Sequence, residues 1–453
     1  MDNYVFFVSI AIIMLTTKIL GDMTNKVNMP QVVGALLAGI IIGPSCLGLI
    51  EETDFIAKTA EIGVVLLMFT AGLDTDMQQL KKMKTALIGS GMISGIYLQN
   101  MKERFDILDL VGCSDIRPDR SKARAEEYGI RCMTNEEILA DPSIEMVVNT
   151  TYPTSHFEVS KAALEAGKNV YCEKMTTLSV AESTELMELA ASKGLFVGGA
   201  PDTFLAGGMQ LARQLLDNGI VGTPVAAEMT LCRSYHHERA YSGEYKRFAF
   251  CQNGGMIFDM GSYYLTALAF LLGPAQSVSG FSQIRDPHRT YQNPNCPMFG
   301  QEMLVESDNN TVGSILYQNG TLGHLLFTSE GVGANQSFKL YCTNGTLDLG
   351  DPNEYGGVIK VTNKKGEISE IHTTHAYIDG NFRGLGVADA AYAIRNERPA
   401  RCSGEVNRHV LEMALGILES SATGQAHVMQ TTCQRPQPFA PGYTERPELV
   451  MNV

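Results

Sequence analysis

Apolar residues are arranged in two unlike ways along this 453-residue chain. Before residue 74 they form long runs with few polar interruptions: Tyr4–Leu20, Pro30–Ile50 and Phe55–Leu73. A bilayer core takes roughly 20 apolar residues per helix, so the pattern predicts about three membrane-spanning helices within residues 1–83. Gly34, Gly39, Gly43 and Pro44 lie inside the second run, where a membrane helix tolerates them better than a soluble one. From Lys84 the runs shorten to strand length and alternate with amphipathic segments. Lys84–Ile88, Ile107–Ser114, Glu145–Asn149, Asn169–Cys172 and Leu195–Gly198 read as strands. A segment ending near Arg104, then Ser155–Ala166 and Val180–Lys193, read as helices. Strands alternating with helices predict an α/β domain, a doubly wound parallel sheet of the Rossmann kind, over residues 84–203.

The pattern changes after Thr203. Phe204–Asn218 has helical periodicity, and β-rich stretches follow at Val225–Leu231, Thr311–Tyr317, Gly323–Thr328, Ser337–Cys342 and Gly357–Val361. Asn319-Gly320 and Asn344-Gly345 are strong hairpin signals. Residues 204–453 are therefore expected to form an α+β domain with a large, mostly antiparallel sheet. Its open face offers a surface for homo-oligomer formation.

Charge narrows the function. A net charge of −14 with no Lys/Arg run argues against a nucleic-acid binder, which must neutralise phosphates. Lys18 and Lys26 flank the first connection, acidic Glu51, Glu52 and Asp54 fill the second, and Lys81, Lys82 and Lys84 follow the third run. The positive-inside rule then puts the amino terminus outside and everything after Leu73 in the cytoplasm, tethered to the inner membrane by residues 1–73. A secretory signal is not expected, since a basic n-region and a small-residue cleavage site are both missing. Ten cysteines are scattered singly, without CxxC or zinc-type Cys/His spacing. They read as reduced thiols, and no metal centre is expected. Glu61 is the one carboxylate in the third run. An intramembrane acid is a functional suspect, but one acid on three helices cannot supply alternating access.

The candidate chemistry begins at Gly89-Ser90-Gly91-Met92-Ile93-Ser94-Gly95, a glycine-rich turn between a strand and a helix. Gly89 permits the bend, Gly91 lets backbone approach a pyrophosphate, and Ser94 takes the third small position. Asp115 lies 24 residues beyond Gly91, near the distance expected for a carboxylate on the adenosine ribose. It favours NAD over NADP, while Arg117 and Arg120 keep NADP open. Thr150–Pro153 and Glu173–Met175 leave the carboxyl ends of strands, where ligands sit in open α/β sheets. Cofactor contacts are thus expected from Gly89, Gly91, Met92, Ile93, Asp115, Thr150, Thr151, Pro153, Glu173 and Lys174. A second reactive segment, Gly254–Tyr264, opens a helix that ends near Leu272, with Asp259 and Tyr263 four residues apart on one face. A lysine, an aspartate and a tyrosine facing one pocket suit alcohol–ketone hydride transfer. A free phenol titrates near 10, and a neighbouring ammonium favours its phenolate. Tyr263 is then the general base, Lys174 stabilises the developing alkoxide, and Asp259 orients the lysine or the substrate. Arg233, Tyr235, His236 and His237 form a polar loop that offers contacts to substrate hydroxyls or is simply solvated.

Two resemblances add to this reading. PQVVGALLAGIIIGPSCLGLI (30–50) and AEIGVVLLMFTAGLDTD (60–76) resemble the opening helices of Kef-type cation–proton antiporters, over Met1 to about Lys82. In those antiporters the ion-binding carboxylates lie on later helices, so transport by residues 1–83 is not expected. GSGMISG (89–95), AGKNVYCEK (166–174), GLFVGGAPDTF (194–204) and DMGSYYLTALAFLLGP (259–274) together resemble the Gfo/Idh/MocA oxidoreductases. That resemblance implies an NAD(P)-dependent enzyme acting on a sugar, polyol or sugar derivative. It makes Lys174 catalytic, Tyr263 the acid–base residue and Asp259 its partner, and it makes His156 a neighbour of the nicotinamide ribose, with a helix-cap or packing role equally open for that histidine. Met175 stands where the family has proline, and Tyr263 where histidine is commoner. Some relatives use bound NAD in a hydrolytic or eliminative cycle on glycosides, and a non-catalytic sugar or nucleotide sensor is a further alternative. Retention of Lys174, Asp259 and Tyr263 together argues against the sensor.

Overall fold

The first apolar run forms one helix, Asp2–Lys26, in the computed structural model, which describes residues 2–26, 31–50, 53, 56–65, 82–244 and 246–440. Its segment Phe7–Thr24 is long and apolar enough to cross a bilayer. The second run departs from expectation. Its helix, Gln31–Ile42, has 12 residues, a rise of about 18 Å against a core of about 30 Å. Gly43 and Pro44 end it: the residue before a proline is pushed out of the helical region, and proline has no N–H to continue the ladder. Of the third run, residues 56–65 are helical with Glu61 exposed, and 66–73 lie outside the described residues. One helix among the described residues, rather than three, therefore has spanning length. Gly34 allows the first two helices to touch, since a Cβ there would come within 2.3 Å of the Leu20 carbonyl oxygen. Such small-residue contacts are how helices approach closely without water to drive them together.

Contacts divide the chain into two units, Met1–Met77 and Gln78–Val453. In the second, strands β1 (Met83–Ile88), β2 (Leu108–Ser114), β3 (Arg131–Cys132), β4 (Met146–Asn149), β5 (Asn169–Cys172) and β6 (Val197–Gly199) form an all-parallel sheet in the order β3-β2-β1-β4-β5-β6. The chain reverses direction of travel across the sheet between β1 and β4, opening a crevice at their carboxyl ends. The apolar runs behind this sheet alternate strictly. Met83, Leu87, Met146, Val148 and Tyr171 join one core with Tyr97, Leu98 and Met101 of helix Ser94–Glu103. Ala86, Ile88, Val147, Val170 and Cys172 join another with Ala163, Leu164, Leu186 and Ala190. Both faces are buried, which is why these strands read as continuous hydrophobic runs. Helix Val180–Ser192 starts at a capping box in which Ser179 and Glu182 satisfy each other's end of the first turn.

The remaining strands are β7 (Pro224–Arg233), β8 (Ala275–Gln283), β9 (His288–Thr290), β10 (Glu302–Leu304), β11 (Asn310–Tyr317), β12 (Leu322–Thr328), β13 (Ala334–Cys342), β14 (Gly345–Asp348), β15 (Val358–Asn363), β16 (Ile368–His372) and β17 (His427–Val428). Nine of them form one sheet, β16-β15-β14-β13-β7-β12-β11-β8-β17, and β9 pairs with β10 separately. The large sheet is antiparallel except between β7 and β12, which run parallel. Both predicted hairpins form, joining β11 to β12 and β13 to β14. Helices Gly207–Asp217, Ser262–Leu272, Leu385–Arg395 and Gly404–Thr423 contribute buried residues to one core with Met229, Leu231, Ile315, Leu325, Phe327, Phe338 and Leu340 from the sheet. This is the same core that holds Tyr97 and Tyr171, so the two sheets share it.

His409, on helix Gly404–Thr423, gives the fold a pH dependence. It is fully buried, and its Nε2 accepts the Ala275 N–H at 2.9 Å, which only a neutral ring can do. Burial pulls its pKa from 6.5 down to about 4. The stability it contributes is complete above about pH 6.5 and is lost as pH falls toward 4, a loss of about 3 kcal/mol from this residue. Burial lowers the pKa of His156 and His375 as well, so their contributions run in the same direction. The unfolding midpoint in denaturant should fall steeply across that window, and His409→Gln should flatten the slope. An unchanged slope in that variant would contradict a buried neutral His409.

Candidate active site

The glycine-rich turn follows β1 directly. Gly89 has φ +102°, and a Cβ on it would lie 2.5 Å from the Thr151 backbone nitrogen. The first turn of helix Ser94–Glu103 receives no side-chain cap, because its N-cap is Ile93. Ser94, fully buried, donates to the Gly91 carbonyl at 2.6 Å. A Cβ on Gly91 would meet nothing within 4 Å. Open space beside bare helical N–H groups is what a dinucleotide pyrophosphate requires, so these residues fit the group. Met92 is exposed at the mouth. Asp115, half-buried at the end of β2, accepts the Arg117 N–H at 2.8 Å.

The other expected cofactor residues divide into linings and supports. Thr150 is buried and its hydroxyl donates to the Gly89 carbonyl at 2.7 Å, which fixes the turn from below. Thr151 donates through N and Oγ1 to Asn149 Oδ1, at 3.2 and 2.7 Å. Pro153 opens the short helical turn Pro153–Ser155. His156 is 1% exposed, and its ring nitrogens face the Met175 and Thr151 carbonyls at 2.6 and 3.0 Å. A neutral ring donates to one of these carbonyls and lies against the other, so His156 packs the loop after β4 on the loop after β5 with both nitrogens turned inward. Glu173, also buried, accepts from Tyr97 OH at 2.9 Å and the Lys174 N–H at 3.0 Å. It too supports rather than lines the site.

Lys174 leaves the end of β5 through a cis peptide to Met175. Its Nζ lies 3.0 Å from Asp259 Oδ1, also donates to the Asp259 carbonyl, and sits 4.9 Å from the centre of the Tyr263 ring. Residues Ile257–Gly261 form a widened π-helical turn before helix Ser262–Leu272, a feature frequent at functional sites. The turn lets the Asp259 carbonyl and carboxylate reach one ammonium. Burial alone would lower the Lys174 pKa, but Asp259, Tyr263 and Glu173 outweigh it and raise the value above normal. The lysine is an ammonium at neutral pH.

Two arginines that sequence patterns did not reveal complete the group. Arg247 Nη2 reaches Asp259 Oδ2 at 3.3 Å. Arg383 Nη2 donates to the Tyr263 phenol oxygen at 3.3 Å and to Asn353 Oδ1 at 2.6 Å. Burial opposes the Arg383 charge, yet the Tyr263 and Tyr355 phenols and Asp202 hold its pKa above the usual range. The Arg383 loop is pinned by Asp202, which accepts from the Gly384 and Gly386 N–H groups at 2.9 and 3.0 Å and from Tyr355 OH at 2.8 Å. Both arginines are lone residues in loops with no motif around them. Of the predicted polar loop, Arg233 pairs with Asp351 at 3.7 Å. The side chains of His236 and His237 lie outside the described residues, although their backbone belongs to helix His236–Ala240.

Comparison with known proteins matches the two ends of the chain to different families, the matches overlapping at residues 83–97. Residues 83–199 match "Oxidoreductase family, NAD-binding Rossmann fold", and residues 209–348 match the Gfo/Idh/MocA C-terminal domain. Residues 8–97 match the transmembrane sodium/hydrogen exchanger family. The Na+/H+-K+ antiporter GerN of Bacillus cereus is 45% identical over 78 residues, 17% of this chain and 20% of the antiporter. An uncharacterised oxidoreductase of Schizosaccharomyces pombe is 34% identical over 203 residues, 43% of this chain and 54% of the relative. The chain thus spans about half the length of that oxidoreductase and a fifth of the antiporter. A levoglucosan dehydrogenase solved with NADH and levoglucosan superposes with a TM-score of 0.67 at 18% identity, covering 78% of this chain and all of that one. The superposition establishes a common fold.

Proposed function

The region from Met83 belongs to the Gfo/Idh/MocA oxidoreductase family, and we propose that it transfers hydride between NAD and an alcohol carbon of a sugar, polyol or sugar derivative. The observation that carries this reading is the meeting of Lys174, from the end of β5, with Asp259 and Tyr263, from the opening of helix Ser262–Leu272. When bound beside them, the nicotinamide supplies the hydride acceptor. Lys174 spends two N–H donors on Asp259, and a third remains for the substrate oxygen. Tyr263 takes the hydroxyl proton at its phenolic oxygen, and the Arg383 guanidinium stabilises the negative charge that passes between the two oxygens. Asp259, held from the other side by Arg247, fixes the ammonium in place.

The test uses the full chain in detergent, with NAD or NADP and a panel of polyols and sugars, followed at the nicotinamide absorbance band. Substrate-dependent reduction of the nucleotide is expected, and Tyr263→Phe should lower kcat by about 10²- to 10³-fold with nucleotide affinity unchanged. Turnover intact in that variant would remove the acid–base role. Cleavage of a glycoside without net NADH would support the closed redox cycle instead.

The same proposal covers membrane and partner. Residues 1–73 would tether the enzyme to the inner membrane with the oxidoreductase on the cytoplasmic side. The open face of the large sheet carries exposed Phe281, Val312, Leu322 and Leu326, with Phe281, Val312 and Leu326 in one cross-strand row. Exposed apolar patches of this kind mark association surfaces, and pairing of two copies there would appear as a doubled mass in light scattering.

A further inference from the structure

The turn after β2 holds two cations and an unexpected counter-charge. Arg117 and Arg120 follow Asp115, where a nucleotide's adenosine ribose is read in this fold. Neither points freely into that space. Arg117 Nη1 lies 2.8 Å and Arg120 Nη2 3.2 Å from one carboxylate oxygen of Glu244, which is 127 and 124 residues away in sequence. Arg117 also contacts Asp119 at 3.2 Å.

Glu244 belongs to a strap, residues 241–244 and 246–251 among those described, that comes from the second sheet's side and crosses to the first. The Gly243 carbonyl accepts from Cys296 Sγ at 3.4 Å. Lys246 pairs with Glu306 at 2.5 Å, and its carbonyl accepts from Tyr152 OH at 3.3 Å. Phe248 packs edge-on against the Tyr152 ring with centroids 5.9 Å apart. Phe250 is buried in a small core with Tyr291, Cys296, Met303 and Val305. The strap is therefore fixed at several points, and its two charged contacts bracket the crevice: Glu244 at the adenosine end and Arg247 on Asp259 at the catalytic end.

We propose that Glu244 sets the nucleotide preference of this site toward NAD, by occupying the two guanidinium groups that would otherwise receive an adenosine 2′-phosphate. This rests on reading the Gly89 turn as a dinucleotide site and deepens it. A phosphate arriving there must displace Glu244 from both arginines and approach two further carboxylates, Asp119 on Arg117 and Asp115. A 2′-hydroxyl carries no charge and meets neither obstacle. The ion pair is exposed, with Glu244 at 54%, and exposed pairs add little to stability. Its consequence lies in the local potential.

The experiment titrates the full chain with NADH and with NADPH, reading nicotinamide fluorescence. Wild type should prefer NADH. Glu244→Gln should move the affinity ratio about tenfold toward NADPH, as one unit charge beside a surface phosphate does, while NADH affinity stays within about threefold. The gain should shrink in high salt and vanish when Arg117→Ala and Arg120→Ala are added. An unchanged ratio, or an equal loss of both nucleotides, overturns the role of Glu244 while leaving the dinucleotide site intact. Wild type binding neither nucleotide overturns the site and this inference together.

Discussion

Lys174→Ala is expected to lower kcat by about 10³-fold or more, with folding largely preserved. An ammonium aimed at a developing oxyanion, in a site screened from water, typically supplies two to four powers of ten, as order-of-magnitude estimates. The side chain is only 14% exposed, and its loss leaves Asp259 paired with Arg247 at 3.3 Å. The aspartate is not stranded, so the thermal midpoint should move by a few degrees at most. Sign and window are both set by the raised pKa of Lys174. Its pairing with Asp259 is complete below the ordinary lysine value of 10.5 and weakens only as pH rises through the higher folded value. Any loss of activity between about pH 7 and 10 must then come from another group. Retained turnover in Lys174→Ala, with NADH still bound, would remove Lys174 from the chemistry of the hydride-transfer step.

Arg289→Met should produce the largest loss of stability, about 3–5 kcal/mol. Arg289 joins Glu238 at 2.6 Å and Glu330 at 2.8 Å, with side chains 1%, 0% and 5% exposed. It also donates to the Asp286 carbonyl at 2.9 Å and lies over the Tyr235 and Phe250 rings. Without it two buried carboxylates face each other's field with no cation, and Glu238 Oε2 already lacks a partner among the described residues. Against a total stability of about 5–15 kcal/mol, that loss is large. Glu238 lies on helix His236–Ala240, immediately before the strap, so the damage should also reach nucleotide affinity. Denaturant titration gives the magnitude. Adding Glu238→Leu and Glu330→Leu should restore much of it, because a removed triad costs far less than a broken one. A loss below about 1 kcal/mol in Arg289→Met would contradict a buried triad whose carboxylates depend on this cation.

The parts of this protein that were legible in sequence are those governed by local periodicity and short motifs. Strands buried on both faces gave unbroken apolar runs, and Gly89 announced its turn because few other residues hold φ +102°. Lys174, Asp259 and Tyr263 stand out as candidates in the sequence because each sits in a motif. Arg247, Arg383 and Glu244 could not be found that way. They act through contacts between segments more than a hundred residues apart or through loops without pattern, as with Arg383 and Tyr263 at a separation of 120. Glu173 reads from sequence as a cofactor contact and His156 as a contact or a packing residue, and the structure buries both side chains, which spacing alone does not tell. The membrane segment erred in the other direction, because run length overstated helix length where Gly43-Pro44 breaks the second run.

The core common to both sheets has a consequence for how this chain can be taken apart. Tyr97 and Tyr171 on one side and Phe327 and Phe338 on the other are packed into a single apolar body. A protein built this way melts as one cooperative block, and a nick near residue 203 would leave two fragments, each with a raw hydrophobic surface. No position inside that block offers a seam at which one half could be exchanged without opening the shared core.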